Sequence, residues 1–169
     1  HAGSGPTGLG IPVGRVAAIE AVAALFNRAG LETRTSPGVD SLLWSKLIVN
    51  VGINALTALL RVPNGVLAQT PECDLLMARA VAEAVAVARA LSIGLDGERQ
   101  LERVREVCLR TADNRASMLQ DILRGRPTEI DAINGAVVAR GRAAGVDTPV
   151  NLLLTQLVQA LEATVADRL

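Results

Sequence analysis

The chain has 169 residues, half of them hydrophobic, and only two aromatic side chains, Phe26 and Trp44. Seventeen basic and seventeen acidic residues give a formal net charge of zero, so charge provides no long-range attraction for nucleic acid or an anionic membrane, and we expect neither as a partner. A core built from Ala, Val, Leu and Ile favours close-packed helices, in one domain or in one domain plus a fragment of another.

The mean hydropathy of +0.34 is high for a small soluble chain. No run reaches the roughly 20 unbroken apolar residues that a membrane span needs, because Lys46, Asn50 and Asn54 interrupt the most apolar stretch. We therefore expect the extra apolar surface to face another domain or a second subunit.

The two cysteines, Cys73 and Cys108, have neither metal-site nor redox spacing. They are typical of reduced packing residues in a cytoplasmic protein, with a functional thiol as the less favoured alternative. The only histidine is His1 at the chain end, so histidine triads and histidine metal sites are not expected. The Gly-rich start lacks the pattern of a signal peptide.

The first 36 residues have the pattern of the end of an α/β unit. The Gly- and Pro-rich start predicts a loop with at most one short strand, and its glycines fit neither GxGxxG nor a P-loop. Residues 14–29 have helical periodicity and stop at Gly30, and residues 31–35 alternate as a short strand does. We expect too few strands for a sheet.

Every strong pattern from Ser36 onward is helical. Pro63-Asn64-Gly65 predicts a turn, and Thr128 with Asp131 resembles a capping box. The periodicity predicts helices at about 40–60, from Thr70-Pro71 to near Gly94, at 97–112, 116–124, 128–144 and 149–166.

Lys46, Asn50 and Asn54 recur at steps of four, which places them on one face of the first long helix. An ammonium and two carboxamides on an otherwise apolar helix cost free energy unless something pairs with them, and Asn is a weak helix former. The stripe is either a mixed exposed face, with Lys46 reaching water, or one wall of a polar pocket. In the second interpretation Lys46 is a proton donor or anion partner, and the amides position a ligand.

Three further polar residues have structural interpretations of their own. Glu129 follows Thr128 at a predicted helix start, where an acid favours the helix dipole. Ser117 also falls at a helix start, and Asn64 belongs to the predicted turn. Taken singly, each of them is more typical of capping or turn chemistry than of a site.

Taken in order, several segments resemble the ketopantoate reductase (2-dehydropantoate 2-reductase) family: GPTGLG, AGLETR, WSKLIVNVGINALTALLRVPNGVL, RASMLQDILRGRPTEIDAINGAVV and AGVDTPVN. Their order and spacing resemble the C-terminal half of such an enzyme. The resemblance implies a mainly α fold, an all-helical domain of the phosphogluconate-dehydrogenase C-terminal type at 37–169. Residues 1–36 would then be the tail of an N-terminal Rossmann-like domain.

The same resemblance implies an NADPH-dependent reduction of a 2-oxo acid, ketopantoate, in pantothenate biosynthesis. By the matching positions Lys46 would be the general acid that protonates the ketone oxygen. Four polar residues would contact the substrate's hydroxyl and carboxylate: Asn50, Asn54, Asn64 and Ser117. Glu129 would lie at the boundary of cofactor and substrate. By the resemblance, Glu129 and Ser117 would therefore be site residues, and each could also cap a helix.

The family's N-terminal GxGxxG is absent from this sequence. We therefore expect the chain to be a fragment, a truncated or proteolytic product or a defective gene product, inactive without its Rossmann domain. The alternative is a non-catalytic helical dimerisation or interaction module derived from the same fold. Self-association as a homodimer is expected through the apolar helices at 71–92 or 149–166.

Overall fold

The computed structural model describes residues 5–11, 14–36 and 38–164, apart from the side chain of Glu98. Those residues form two short strands and eight helices, so the expected mainly α fold with a short α/β segment in front is confirmed. The elements are β1 (Thr7–Gly10), α1 (Val16–Arg28), β2 (Thr33–Ser36), α2 (Val39–Leu60), α3 (Asn64–Gln69), α4 (Pro71–Ala90), α5 (Gly97–Arg110), α6 (Ser117–Leu123), α7 (Asn134–Ala144) and α8 (Pro149–Ala163).

The two strands pair in parallel, from Thr7 opposite Thr33 to Gly10 opposite Ser36, with α1 as the connection. The expectation of too few strands for a sheet is therefore wrong, although this sheet has only two. Asn27 fixes the end of α1 against β2, because its side chain donates to the Thr33 carbonyl and accepts from the Thr33 N–H, both at 2.9 Å. Gly30 has the left-handed φ of +80° expected after the helix end.

The chain divides into two compact units, His1–Ser45 and Lys46–Leu169, and the division falls inside α2. By length and composition α2 is the one helix in the described ranges that could cross a membrane. Of its most apolar window, 61% is buried within the protein, as in the core helix of a soluble domain.

The second unit is built around the closely packed helices α2, α4 and α5. A Cβ added to Gly52 on α2 would lie 2.8 Å from Val104 on α5 and 3.0 Å from Val81 on α4. Cys108, also on α5, is buried with its Sγ 3.9 Å from the Sδ of Met77. Burial raises the pKa of the Cys108 thiol to about 11, so it stays protonated at neutral pH and serves as the predicted packing residue.

Two local predictions in this unit are wrong. Asn64 and Gly65 open α3 instead of forming a turn, because carbonyls of the α5–α6 link accept their N–H groups. No helix begins at Thr128, and α7 starts at Asn134. The Thr128 hydroxyl accepts from Ile130 N–H, while Asp131 accepts from Gln159 on α8, so residues 128–131 are held to α8 rather than capping a helix.

We predict that Gly65→Ala lowers the free energy of unfolding by about 1–3 kcal/mol. The new Cβ would lie 2.7 Å from the Cβ and 2.9 Å from the backbone Cα of Ala112, and the backbone cannot swing aside as a side chain can. Gly135→Ala is the matched control, because its nearest contact is an ordinary 3.5 Å and it gains helix propensity. Urea unfolding of the two variants measures the difference, and equal stability would contradict the close approach.

The Asp74–Arg105 pair ties α4 to α5 through two hydrogen bonds, of 2.7 and 2.6 Å. The hydrogen bond from Arg105 holds the pKa of Asp74 below its ordinary value of 3.8. A carboxyl with a lowered folded pKa stabilises the fold fully above its unfolded pKa, and this contribution is lost as the pH falls through the folded value.

Asp74→Asn should therefore lower the free energy of unfolding at neutral pH by up to about 1 kcal/mol, since the pair is partly exposed. The deficit should disappear in acid, below the folded pKa of Asp74. Glu72→Gln removes a charge from the same first helical turn and controls for the helix dipole. Chemical unfolding across pH tests this, and a deficit independent of pH would refute the assignment to the ion pair.

Candidate functional site

The polar stripe lies on α2 as predicted and covers about 12 Å of helix from Lys46 to Asn54, at 1.5 Å per residue. Its burial increases along the helix: Lys46 is exposed, Asn50 is half-buried and Asn54 is 5% exposed. Exposure removes the burial cost that the sequence suggested for Lys46. A mixed surface face explains Lys46 but not the buried Asn54, so the gradient favours a wall that descends from solvent into the protein.

Lys46 is the only lysine among seventeen basic residues, and the other sixteen are arginines. Within the described ranges its ammonium has no carboxylate within 4.0 Å, since the ion pairs there are Arg34–Glu32 and Arg105–Asp74. An arginine stays protonated in proteins and cannot act as a proton donor at neutral pH, whereas a lysine can. A single unpaired lysine beside two asparagines is thus suited to proton transfer.

Asn64 is held in the first turn of α3, at 7% exposure. Its Nδ2 donates to the Thr111 hydroxyl at 2.9 Å, and that hydroxyl donates to the Val107 carbonyl at 2.7 Å. Its Oδ1 is buried without a hydrogen-bond partner, which costs about 1–3 kcal/mol. Asn64 therefore keeps one unused acceptor, which a turn residue at the surface would not.

Ser117 and Glu129 are both exposed, and neither caps a helix as the sequence suggested. Ser117 is the first residue of α6, but Ala116 holds the N-cap position. Glu129 lies in the turn before α7, which has no acid in its first turn. Ser117 therefore stands at a helix start as predicted, although it is not the N-cap, whereas the capping interpretation of Glu129 is wrong.

The structure brings only some of the predicted residues together. The Asn64 N–H donates to the Asn114 carbonyl at 3.0 Å, which places the start of α3 beside the segment that leads into Ser117. No hydrogen bond between the side chains of the six predicted residues occurs in the described structure. Three clefts on the second unit, of about 200, 370 and 340 Å³, are lined by other residues.

A buried polar network that no sequence pattern predicted joins α4, α7 and α8. The Glu83 carboxylate accepts the Val150 and Asn151 N–H groups at 2.8 and 2.9 Å, at the N-terminus of α8, where a negative charge is favourable. The Asn151 side chain donates to Glu83 and accepts from Asn134, which is fully buried. The partners lie 17 to 68 residues apart, so no local pattern reveals them.

The described residues offer little to metals or to a dinucleotide phosphate. No group of three His, Cys, Asp or Glu side chains capable of holding a metal occurs among them. Gly8 and Gly10 lie within β1 rather than in a turn that follows a strand, so these two glycines do not have the position of phosphate-loop glycines.

The described residues form a short parallel α/β segment followed by a helical unit that carries the Lys-Asn-Asn face. Residues 38–162 match the family model described as "Ketopantoate reductase PanE/ApbA C terminal". The chain therefore belongs to the ketopantoate reductase family, as the sequence resemblance indicated.

Curated relatives agree with this assignment. The chain is 42% identical over 160 residues to the 2-dehydropantoate 2-reductase of Halobacterium salinarum, covering 94% of this chain and 52% of the relative. It is 38% identical over 165 residues to the enzyme of Archaeoglobus fulgidus, covering 96% and 55%. The chain thus spans about half the length of these relatives.

Solved structures show the same fold. A ternary structure of D-mandelate dehydrogenase with NADH and anilino(oxo)acetate superposes with a TM-score of 0.90 at 31% identity, covering 97% of this chain and 69% of that one. The ketopantoate reductase of Ralstonia eutropha JMP134 superposes with a TM-score of 0.84 at 34% identity, covering 96% and 53%.

Proposed function

We propose that this chain is the substrate-binding half of a nicotinamide-dependent 2-oxo acid reductase, a 2-dehydropantoate 2-reductase that converts ketopantoate to pantoate in pantothenate biosynthesis. The observation that carries the proposal is the single unpaired Lys46 at the exposed end of the asparagine stripe, within the segment that matches the family model. The names of the curated relatives support the same substrate. Residues 37–169 would form the catalytic domain and residues 1–36 the tail of a Rossmann-like domain.

Lys46 would supply the proton in this reaction. NADPH, when bound, supplies the hydride that reduces the ketone carbon. As the carbon–oxygen double bond becomes a single bond, its electron pair moves to the oxygen, and the Lys46 ammonium stabilises that charge and donates a proton to it. The exposure of Lys46 lets the resulting amine take up a proton from water before the next turnover.

The side-chain amides of the three predicted asparagines and the hydroxyl of Ser117 would orient the substrate. A carboxamide both donates and accepts, so Asn50 and Asn54 can hold a hydroxyl and a carboxylate at once. Asn64 has an unused buried acceptor, the Oδ1 atom, which suits a hydroxyl donor. Ser117 has an exposed hydroxyl that can donate to the carboxylate.

Glu129 is the residue of this chain that we assign to the cofactor. Its exposed carboxylate can accept hydrogen bonds from a ribose hydroxyl or a carboxamide. The two glycines of β1 lie within the strand, so we assign the pyrophosphate contact to the half of the relatives that this chain does not span. The choice of NADPH follows the family resemblance, and the mandelate dehydrogenase structures contain NADH.

We further propose a cytoplasmic homodimer that associates through α4 or α8. Both helices carry exposed leucines, which an interface would cover: Leu75, Leu76, Leu152, Leu153 and Leu157. The free and buried Cys108 fits a reducing compartment.

The 169-residue chain alone should show no NADPH oxidation with ketopantoate, because we assign the pyrophosphate contact to the half of the relatives that this chain does not span. A spectrophotometric assay at 340 nm, the ordinary absorbance of the reduced nicotinamide, with a full-length relative as positive control measures this. Turnover that disappears when a contaminating enzyme is removed by purification would not contradict the expected lack of activity. Turnover that copurifies with the chain would overturn the need for the second half.

In a full-length parent, Lys46→Ala should lower kcat by about 10²–10⁴-fold and leave the affinity for NADPH nearly unchanged. Lys46→Arg is the informative partner variant, because it keeps the positive charge but cannot release a proton at neutral pH. Arg103→Gln, on the exposed surface of α5, is the control. A near-normal turnover rate in Lys46→Arg would show that a positive charge alone is enough for the reaction and would exclude Lys46 as the proton donor.

A further inference from the structure

Thr111, the residue that follows α5, is not among the residues assigned to the reaction, yet its hydroxyl contacts one of them. The hydroxyl oxygen accepts a hydrogen bond from the Asn64 Nδ2 at 2.9 Å. The same hydroxyl donates to the Val107 carbonyl at 2.7 Å, and the Thr111 N–H donates to that carbonyl at 3.0 Å. The Thr111 side chain is thus fixed to the last turn of α5.

The hydrogen bond from Thr111 to Val107 decides which way the Asn64 amide faces. A hydroxyl has a single hydrogen to donate, whereas its oxygen can accept. Because the Val107 carbonyl takes that hydrogen, the Thr111 oxygen can only accept from Asn64. A flipped amide would place its own oxygen against the Thr111 oxygen with no hydrogen between them. Asn64 is therefore held with its Nδ2 on Thr111, and its Oδ1 is left free.

The backbone of Asn64 is held by the same segment of the chain. Its N–H donates to the Asn114 carbonyl at 3.0 Å, and the Gly65 N–H donates to the Ala112 carbonyl at 3.0 Å. The Asn114 N–H donates in turn to the Thr111 carbonyl at 2.9 Å, which closes this segment into a turn. The backbone and the side chain of Asn64 thus share one anchor, so the amide is oriented before any ligand arrives.

This arrangement leaves an oriented acceptor without a donor. The Oδ1 of Asn64 is buried and has no hydrogen-bond partner in the described structure. A buried acceptor without a partner is costly, and a ligand that supplies a hydroxyl donor removes that cost. A ligand without the hydroxyl leaves the acceptor unpaired in the complex, so a site of this kind discriminates strongly between the two. The reverse amide orientation would present N–H groups and would favour an acceptor instead.

We propose that Thr111 is a positioning residue that makes the site selective for 2-oxo acids carrying a hydroxyl, because it holds Asn64 with Oδ1 as the free acceptor. This inference rests on the proposed function and on the assignment of Asn64 to the substrate's hydroxyl. Thr111 itself does not touch the substrate, and it acts on specificity through the orientation of the Asn64 amide.

The test compares ketopantoate with trimethylpyruvate, the same 2-oxo acid without the hydroxyl, as substrates of the full-length parent. The unmodified parent should prefer ketopantoate in kcat/KM by at least about tenfold. Thr111→Val keeps the shape of the side chain and removes the hydroxyl. It should raise the KM for ketopantoate about tenfold, and it should leave kcat and the KM for trimethylpyruvate nearly unchanged.

Two further variants separate the orientation of Asn64 from a purely structural role of Thr111. Thr111→Ser keeps the hydroxyl and should restore the preference for ketopantoate. Thr155→Val is the matched control, because the Thr155 hydroxyl makes the same kind of bond within its own helix, to the Asn151 carbonyl at 2.8 Å. It should leave both KM values unchanged. Thr111→Ala is the second variant if Thr111→Val folds poorly, with the same two KM values measured.

Three outcomes would contradict the account, and they are distinguishable. An equal rise of KM for both acids in Thr111→Val would show a structural role and would overturn the proposal. An unmodified parent that reduces both acids with equal kcat/KM would overturn this inference alone and leave the reductase function standing. A parent that reduces neither acid would overturn the proposed function, and this inference with it.

Discussion

The contact between the start of α3 and the α5–α6 link is the constraint on which the second unit depends. The first N–H groups of α3 have no partners within their own helix, and two carbonyls of the link accept them. The approach is so close that residue 65 has no room for a Cβ. This contact fixes Asn64 beside the segment that leads to Ser117.

A second set of polar contacts organises the part of the unit around α8. Glu83 from α4 caps the N-terminus of α8, and Asn151 links that cap to Asn134 at the start of α7. Farther along, Glu162 on α8 accepts the Thr128 N–H at 2.6 Å. The turn that carries Glu129 is thus held by α8 at one end and by the start of α7 at the other. Its geometry follows from tertiary contacts rather than from helix capping.

Local sequence patterns predicted the features of the structure that arise from the spacing of residues along the chain. The long helices and the one-face stripe of Lys46, Asn50 and Asn54 follow from spacing alone. The sequence misled where a distant partner decides the outcome. Thr128 and Asp131 have the pattern of a capping box, but Glu162 and Gln159 on α8 bind that segment instead.

Parts of the candidate site were beyond prediction for the same reason. The unused acceptor of Asn64 appears only when its neighbours are placed. One signal was present in the composition: a single lysine among sixteen arginines falls on the stripe. The parallel pairing of β1 with β2 could not be predicted from the sequence, because four-residue strands are too short for their pattern to identify the partner strand.

The most direct test of the central claim uses that single lysine. Reductive methylation with ¹³C-formaldehyde labels the Lys46 amine and the chain terminus, and it keeps the positive charge. Titration with ketopantoate should shift the Lys46 methyl resonance saturably, together with the side-chain amides of Asn50 and Asn54, while acetate should not. Shifts no larger than those caused by acetate, or shifts confined to residues away from α2, would contradict the assignment of this helix as the wall of a 2-oxo acid site.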